Sequence, residues 1–302
     1  MTRALVIGRR RKGRHNGAVV REVRRLLEAA HWKVDSDLVK RKRDLTRGAE
    51  RAVADGCDVV VVVGGDGAVL RVAPALADSA VTLGIIPTGT GNLLAGNLHI
   101  PAHAGDAAAA TRVLIEGRTR RIDLGRATLD GKSHTFSVAC GIGFDAEVMD
   151  RTGPRQKRRW GKLAYLANAI TQTTGITNVE HRVTLDGATT TTEAAQVFIA
   201  NFGRMIAGLA PRRTVRPDDG LLDVIVARAS GPLHGLIAGW QVLRQKELGE
   251  TADGRVFRAQ AREVRVETTP SRLVEVDGTV VGRTPVDVAI LPGALNVLVP
   301  SL

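Results

Sequence analysis

Two glycine-rich segments lie where a parallel sheet would place a ligand. Gly64-Gly65-Asp66-Gly67 follows the apolar run 58–63, and the segment 88–92 (Thr-Gly-Thr-Gly-Asn) follows the apolar run 83–86. Glycine lets the chain turn tightly and brings backbone N–H groups close to phosphate oxygens. A helix is predicted after each segment, and the dipole at its start favours an anion. Because ligands of parallel α/β sheets bind beyond the carboxyl ends of the strands, the two segments predict a phosphate-binding site.

Asp66 places a carboxylate in the first segment, and Asn92 ends the second. A carboxylate beside phosphates is expected where Mg²⁺, or a hydrogen-bonded sugar or water, lies between them. The alternative is a tight strand-to-helix turn in which Asp66 caps the helix. Asn92 is predicted to cap the helix that follows it. Two such segments in one sheet favour the phosphate interpretation over a pair of ordinary turns.

Strand-like and helix-like segments alternate over roughly the first 120 residues. Residues 4–8 and 58–63 are apolar runs of the length expected for buried strands. Apolar residues between 19 and 30 recur at helical spacing, with arginines on the opposite face. The alternation predicts a doubly wound α/β domain with a parallel sheet over residues 1–122.

After Arg120, strand-like segments follow one another instead. They are predicted at 121–129, 133–139, 182–185, 196–200, 221–226, 264–267 and 273–276, with helices near 160–170 and 232–243. Short strands separated by Gly and Asp turns predict an antiparallel β-sandwich domain over residues 123–302. Pro292-Gly293 is predicted to be a turn within the final stretch 286–299. The last residues, from about 288 to 302, are therefore compatible with packing on either domain.

Six motifs then occur in a defined order. They are Gly64-Gly-Asp-Gly67, Pro87-Thr-Gly-Thr-Gly-Asn92, Gly141-Ile-Gly-Phe-Asp-Ala146, Pro217-Asp-Asp-Gly-Leu-Leu-Asp223, Asp277-Gly278 and Pro292-Gly-Ala-Leu-Asn-Val-Leu298. Together they resemble the diacylglycerol kinase catalytic-domain family of bacterial lipid kinases, relatives of the sphingosine and ceramide kinases. The resemblance covers nearly the whole chain, whereas the first motif alone would equally suit NAD kinases or phosphofructokinases. It implies an N-terminal nucleotide-binding domain, a C-terminal β-sandwich and ATP in the cleft between them.

The resemblance also implies roles for individual residues, with ATP and Mg²⁺ as cofactors. The implied nucleotide-binding positions are Arg14, Gly64, Gly65, Asp66, Gly67, Ala68, Arg71, Thr88, Gly89, Thr90, Gly91 and Asn92. Asp66 and Asp123 match acidic positions of a magnesium–water network. Asp219, with backbone carbonyls near Arg216 and Leu221, matches a structural magnesium site. The alternative for residues 217–220 is an ordinary β-turn, in which Asp and Gly are preferred.

Several positions depart from the family pattern. Ala68 replaces a threonine, Leu93 replaces an acid, and the segment 8–14 replaces an Asn-Pro-x-x-Gly motif. Thr279 occupies the position of the family's presumed general base, a glutamate. A threonine hydroxyl cannot accept a proton at neutral pH as a carboxylate does, and losing a base typically costs ~10²–10⁴-fold in rate.

Three consequences of Thr279 stay open: slow kinase activity, replacement of the base by Glu275 or Asp277, and nucleotide binding without turnover. The leading prediction is an ATP-dependent lipid kinase of phospholipid biosynthesis, which transfers the γ-phosphate to a lipid hydroxyl such as that of diacylglycerol. The alternatives are a nucleotide-binding pseudokinase that senses lipid and a soluble-substrate kinase resembling NAD kinase.

Positive charge is concentrated at the N-terminus. The net charge is +12, and residues 1–51 contain 16 basic and 6 acidic side chains. The run 9–14 follows the first strand and is predicted to bind triphosphate. The runs 40–43 and 156–159 are predicted either to be solvated or to meet an anionic membrane surface. Nucleic-acid binding is disfavoured, because only 3% of the residues are aromatic and no recognition motif occurs.

Composition excludes several classes of protein. With 44% hydrophobic residues the chain is not intrinsically disordered. Cys57 and Cys140 are too few for a disulfide framework and are predicted to be buried thiols in a reducing compartment. No apolar run approaches the ~20 residues of a membrane span. We expect a cytoplasmic protein, peripheral on the inner face of the membrane, and a homodimer stays open.

Overall fold

The computed structural model describes residues 1–10, 16–89, 91–102, 107–143, 177–203, 215–229 and 248–301. The chain divides into two units, residues 1–122 with 293–302, and residues 123–292. The helices predicted near 160–170 and 232–243 lie outside the described residues. None of the helices within those ranges has the length and hydropathy that a bilayer-spanning segment needs.

The first unit alternates strands and helices, as predicted. Its elements, up to the strand that crosses the unit boundary, are β1 (Arg3–Arg9), α1 (Asn16–Ala29), β2 (Lys33–Val39), α2 (Lys42–Ala54), β3 (Val59–Gly64), α3 (Asp66–Leu76), β4 (Thr82–Pro87), α4 (Leu93–Asn97), α5 (Ala107–Glu116) and β5 (Arg118–Leu129). The five valines of β3 are at most 6% exposed, which is expected of a central strand covered on both faces.

The sheet of the first unit is parallel, in the order β2-β1-β3-β4. Since β1 lies between β2 and β3, the chain changes direction across the sheet there, and the carboxyl ends of β1 and β3 flank the switch point. The register places Gly64 opposite Pro87, so β3 and β4 end side by side. This edge of the sheet therefore gathers the segments that follow β1, β3 and β4.

Helices cover both faces of this sheet. Ile7 lies against Gly48 of α2, whereas the neighbouring Gly8 lies against Val20 of α1. Successive residues of a strand point to opposite faces, so α1 and α2 cover opposite faces of β1. Helix α5 packs beside α1, and α3 packs beside α2. The first unit is thus a doubly wound α/β fold.

The second unit consists of strands in its described part. They are the end of β5, then β6 (Lys132–Phe136), β7 (Ala139–Gly143), β8 (Val179–Leu185), β9 (Ala188–Ala194), β10 (Gln196–Ala200), β11 (Leu222–Ala227), β12 (Gly249–Glu250), β13 (Val256–Ala261), β14 (Glu263–Thr269), β15 (Leu273–Val276), β16 (Thr279–Arg283) and the start of β17 (Val286–Val299).

Two antiparallel layers form this unit. One sheet runs β12-β13-β11-β10-β7-β15-β16, and the other contains β17, β14, β8 and β9. Residues of both layers share one buried core, among them Ile142, Val197 and Val224 from the first sheet and Val183 and Val266 from the second. The predicted β-sandwich is confirmed.

The turn predicted at Pro292-Gly293 is wrong. Strand β17 continues through these residues from Val286 to Val299. Residues 286–289 pair with β14, and residues 296–297 pair with β4, so both halves have neighbouring strands. Gly293 has a φ of +56°, a left-handed conformation that glycine adopts without a Cβ clash.

Both cysteines are free thiols. Cys140 is buried, as predicted, but Cys57 is only half-buried, because it lies in the turn that precedes β3 rather than within the strand.

Candidate nucleotide and magnesium site

The first glycine-rich segment leads from β3 into α3. Gly64 is the last residue of β3, Gly65 is the N-cap of α3, and Asp66 is the first residue of the helix. The N–H of Ala68 donates to the carbonyl of Gly65 at 2.8 Å. The alternative in which Asp66 caps its own helix is therefore wrong, since Gly65 occupies that position.

The start of α3 leaves room for a ligand. A Cβ built on Gly67 would meet nothing within 4 Å. Arg71, one turn further along, is exposed, and its backbone carbonyl accepts a hydrogen bond from Thr46 Oγ1 at 3.1 Å. The side chain of Ala68 faces inwards, towards Gly64. A Cβ built on Gly64 would lie 2.5 Å from the Cβ of Ala68. The free space at Gly67 adjoins the helix start, where backbone N–H groups attract anions.

The second glycine-rich segment is joined directly to the first. The N–H of Thr88 donates to the carbonyl of Gly64 at 2.8 Å. A Cβ on Gly65 would lie 2.7 Å from the Cα of Gly89, and a Cβ on Gly89 would lie 2.5 Å from the Cα of Gly65. Only glycine at both positions allows this approach, so the two segments form one backbone surface.

Asn92 does not cap the following helix, which corrects the prediction. Its backbone is left-handed, with a φ of 49°, and no side-chain hydrogen bond caps α4 from this position. Its side chain turns back instead: Oδ1 accepts from the N–H of Gly89 and Nδ2 donates to the carbonyl of Gly89, both at 3.0 Å. Asn92 therefore closes the 88–92 segment on itself.

The side chain of Asp66 caps the start of α4 instead. Its Oδ1 accepts a hydrogen bond from the N–H of Leu93, the first residue of that helix. A Cβ on Gly91 would collide with Asp66 Oδ2. Burial raises the pKa of Asp66, and the backbone N–H groups of Leu93 and Asn92 act in the opposite direction. The carboxyl group is thus held at the junction of the two segments, half-buried and close to their N–H groups.

Asp123 forms a second cluster, in the second unit. Its N–H donates to the carbonyl of Pro217 at 2.6 Å, and its Oδ2 accepts from the N–H of Gly220 at 2.8 Å. The intervening residues form a turn, in which Asp219 Oδ1 accepts from the N–H of Leu221 at 3.1 Å. The turn that was the alternative for residues 217–220 is present, and it wraps around a carboxylate that is only 2% exposed.

The second cluster suits a hard divalent cation. Burial raises the pKa of Asp219, and the negative charge of Asp123 raises it further. Two mutually repelling carboxylates beside the carbonyls of a turn are the oxygen donors that Mg²⁺ prefers. Within the described ranges no three His, Cys, Asp or Glu side chains are grouped to hold a metal. Carbonyl oxygens near Arg216 and Leu221 would therefore have to complete the ligand set.

Asn201 is a residue of this cluster that the sequence analysis missed. It is fully buried, and its Nδ2 donates to the carbonyls of Asp123 at 2.7 Å and Ser137 at 3.0 Å. Asn201 directly follows β10. A polar amide at the end of an apolar strand was the sequence feature that could have identified this residue. Asn201 fixes the backbone that carries Asp123.

Thr279 and its neighbours have distinct environments. Thr279 is exposed at the start of β16. Asp277 is bound by three backbone N–H groups, those of Ser137, Val138 and Ala139, at 2.7–3.0 Å. Glu275 is 3% exposed and accepts a hydrogen bond from the N–H of Gly278. These contacts make both carboxylates part of the framework of the sandwich.

The remaining predicted positions divide into two groups. Arg14, Thr90, the segment 144–146 and the run 156–159 lie outside the described residues. Arg9 and the run 40–43 are described in part: Arg9 ends β1, its Nε donates to the carbonyl of Lys40 at 3.4 Å, and Arg41 and Arg43 are exposed. The basic end of β1 is thus joined to the end of β2.

Comparison with known proteins decides the family. The family model "Diacylglycerol kinase catalytic domain" matches residues 3–127, and the model "YegS C-terminal NAD kinase beta sandwich-like domain" matches residues 137–299. A Mycobacterium tuberculosis protein named diacylglycerol kinase is 33% identical over 82% of this chain and 79% of its own length. The chain belongs to the diacylglycerol kinase catalytic-domain family.

Other similar proteins have lower identity or a longer chain. A Staphylococcus aureus diacylglycerol kinase is 26% identical over 91% of this chain and 85% of its own. An uncharacterized Synechocystis protein is 30% identical over 87% of this chain, which spans 59% of that protein's length. A diacylglycerol kinase structure from Bacillus anthracis has the same fold, with a TM-score of 0.74 at 21% identity, covering 99% of this chain and 96% of its own.

Proposed function

We propose that this protein is an ATP-dependent lipid kinase. The bond between the γ-phosphorus of ATP and the β–γ bridging oxygen breaks, and this oxygen leaves with ADP. A bond from the phosphorus to a lipid hydroxyl oxygen forms, and the hydroxyl proton passes to solvent water. The observation that carries the proposal is the junction at Asp66, where two glycine-rich segments meet with a carboxylate between them. Family membership supports kinase chemistry at that junction.

The first unit is proposed to bind the nucleotide. Backbone N–H groups at the start of α3 would face the phosphates, and the open space beside Gly67 would receive them. Asp66 is the group proposed to hold Mg²⁺ there, and Asp123 with Asp219 would hold Mg²⁺ in the second unit. When bound, Mg²⁺ neutralises phosphate charge, which is most of what a loose phosphoryl-transfer transition state requires.

Diacylglycerol is the proposed acceptor. The support is the name of the Mycobacterium tuberculosis relative, which is 33% identical over most of both chains. A kinase acting on this lipid would contribute to phospholipid biosynthesis.

We also propose that the protein works as a peripheral protein on a cytoplasmic membrane surface. Arg43, Arg47 and Arg51 lie four residues apart on α2 and therefore share one face of the helix. They line an open groove of about 850 Å³ beside β2. Arg51 forms an ion pair with Asp37 at 3.6 Å and Arg43 forms one with Asp44 at 4.0 Å, and both Arg43 and Arg47 are exposed. Anionic headgroups attract such residues by ~1 kcal/mol each.

A second candidate function is nucleotide binding without turnover. Thr279 favours it, since this position has a hydroxyl where the family has a carboxylate, and the carboxylates of Glu275 and Asp277 accept backbone hydrogen bonds. A lost base lowers the rate by ~10²–10⁴-fold without removing nucleotide affinity. The two candidates therefore differ in turnover and not in ATP binding.

A labelling experiment distinguishes these functions. The protein is incubated with γ-labelled ATP and Mg²⁺, with diacylglycerol-containing vesicles in one arm and NAD in another. Label in the extracted lipid supports the lipid kinase. Label in NAD alone would replace it with a soluble-substrate kinase, and ATP binding with no transfer in either arm would favour the second candidate.

A further inference from the structure

Asn16 connects two segments that the proposed nucleotide site needs, although it belongs to neither glycine-rich segment. It is the first residue of α1 and only 6% exposed. Its Nδ2 donates to the carbonyl of Arg9 at 2.9 Å, and its Oδ1 accepts from Thr88 Oγ1 at 3.3 Å. One buried amide thus joins the end of β1 to the segment after β4.

The position of Asn16 at the carboxyl edge of the sheet gives this contact its consequence. Arg9 and Asn16 flank the basic sequence Arg-Arg-Lys-Gly-Arg-His at 10–15. Thr88 in turn donates its N–H to Gly64, the end of β3. Asn16 therefore ties the end of β1 to the segment that touches Gly65. All of these contacts lie within the first unit and at the carboxyl edge of its sheet.

Close packing explains why an amide from α1 makes this connection. A Cβ on Gly8 would lie 3.1 Å from Val20 Cγ2 and 3.3 Å from the carbonyl oxygen of Val63. A side chain at position 8 therefore has no room there. Asn16, seven residues beyond Arg9, reaches the same edge of the sheet from the helix.

We propose that Asn16 is a positioning residue for phosphate binding, which is anchored on the carbonyl of Arg9 and holds Thr88 in one arrangement before the nucleotide arrives. The inference rests on the proposed nucleotide-binding function. A segment that is already ordered loses less conformational entropy on binding, so its ligand binds more tightly. Asn16 acts through Thr88, and its loss should weaken nucleotide affinity while leaving lipid affinity unchanged.

The test is a double-mutant cycle on the full chain. Dissociation constants for a non-hydrolysable ATP analogue with Mg²⁺ are measured for wild type, Asn16→Ala, Thr88→Val and the double variant. Losing the hydrogen bond between Thr88 and Asn16, which both single variants lack, should weaken binding by ~3–10-fold in each of them. The double variant should be weaker than Thr88→Val by less than about twofold, because the two residues act through one contact. Thr88→Ser should recover most of the affinity lost in Thr88→Val.

Asn296→Ala is the matched control. Asn296 Nδ2 also donates to a backbone carbonyl of the first unit, that of Ser79 at 3.3 Å, but it pairs with Thr82 at the opposite end of β4. Its removal should lower stability with no effect on nucleotide affinity. If Asn16→Ala does not fold, Thr88→Val gives the same readout.

The outcomes separate the two proposals. Nucleotide binding by wild type with unchanged affinity in Asn16→Ala and Thr88→Val overturns the role of Asn16 alone, and so does full additivity in the double variant. A wild-type protein that binds no nucleotide overturns both the role of Asn16 and the proposed function.

Discussion

The carboxylate of Asp66 accepts the backbone N–H of Leu93, so a residue of α3 caps the neighbouring helix α4. Helix α3 begins within the first glycine-rich segment, and α4 begins directly after the second. The contact therefore fixes the two segments relative to each other, together with the approach of Gly65 to Gly89. A phosphate-binding surface made of two segments requires such a connection.

Alanine at Gly89 should disrupt this junction, and alanine at Gly67 should not. The Cβ of Gly89→Ala would lie 2.5 Å from the Cα of Gly65, so we expect a loss of about 1–3 kcal/mol in the free energy of unfolding. Gly67→Ala places its Cβ in open space within a helix, where alanine is favoured by up to ~1 kcal/mol. Urea denaturation without ligand measures the free energy of unfolding of both variants.

Gly67→Ala should also change the affinity for nucleotide. If phosphates occupy the space beside Gly67, this variant should bind the ATP analogue more weakly although its unliganded form is at least as stable as wild type. Equal nucleotide affinity in Gly67→Ala and wild type would place the phosphates elsewhere.

The raised pKa of Asp66 predicts a pH dependence. Burial raises this pKa above 3.8, so the folded state holds the proton more tightly than the unfolded state does. The contribution of Asp66 to stability is therefore greatest below 3.8 and is lost as pH rises through the raised pKa. Over this window the free energy of unfolding of wild type should fall relative to that of Asp66→Asn.

The affinity for the magnesium–nucleotide complex should increase with the fraction of Asp66 that is ionised. Affinity should decrease as the pH is lowered through the raised pKa in wild type, and Asp66→Asn should lack this component. Calorimetric titration at a series of pH values measures it. Parallel pH profiles for the two proteins would exclude Asp66 from the binding site.

Asp277 should be a major determinant of the stability of the second unit. Its carboxylate accepts three backbone N–H groups, so Asp277→Ala leaves them without their acceptor, at a cost of about 3–5 kcal/mol. Asp186 is a matched control, because it also has a φ of +46° and accepts two backbone N–H groups, but on the surface. Asp186→Ala should cost about 1–2 kcal/mol. Equal urea midpoints for the two variants would contradict this assignment.

Thr279→Glu tests whether the missing carboxylate limits turnover. The side chain is exposed at the start of β16, so a glutamate fits without repacking. If no other group replaces the base, phosphoryl transfer should rise by ~10²–10⁴-fold. Thr191→Glu, on the exposed strand β9, controls for added charge and should leave the rate unchanged. No gain in Thr279→Glu would mean that another group accepts the proton.

The exposed arginines of α2 should contribute to membrane binding. Removing both in Arg43→Ala/Arg47→Ala should weaken binding to anionic vesicles by about 30-fold at low salt. Arg21→Ala/Arg25→Ala removes two exposed arginines at the same spacing from α1, which covers the opposite face of the sheet, and should have a smaller effect. Vesicle co-sedimentation compares the two variants. Equal losses would indicate attraction by net charge alone.

The sequence predicted those features that depend on local pattern. The valine run of β3 identified a central parallel strand, and the glycines after β3 and β4 identified the segments that meet in the structure. Strand bounds were predicted closely where apolar residues are continuous, as in β10 and β15. The order of motifs identified the family.

Other features depend on contacts between distant residues, which local pattern does not contain. Strand β9 was missed because its sequence, Ala-Thr-Thr-Thr-Thr-Glu-Ala, has no apolar alternation and is mostly exposed. Asn92 was predicted as a cap, but Asp66, 27 positions away in sequence, supplies that hydrogen bond. Asn16 and Asn201 gain their roles from carbonyl and hydroxyl partners that only the folded sheets bring within reach.

The central claim is that the junction at Asp66 supports phosphoryl transfer to a lipid. The most direct measurement is the rate at which γ-label from ATP appears in extracted diacylglycerol, compared between wild type and Asp66→Asn at equal folded concentration. Lipid labelling by wild type and a loss of at least ~100-fold in Asp66→Asn is the predicted result. Equal labelling by the two proteins, or labelled lipid from neither despite bound ATP, would contradict it.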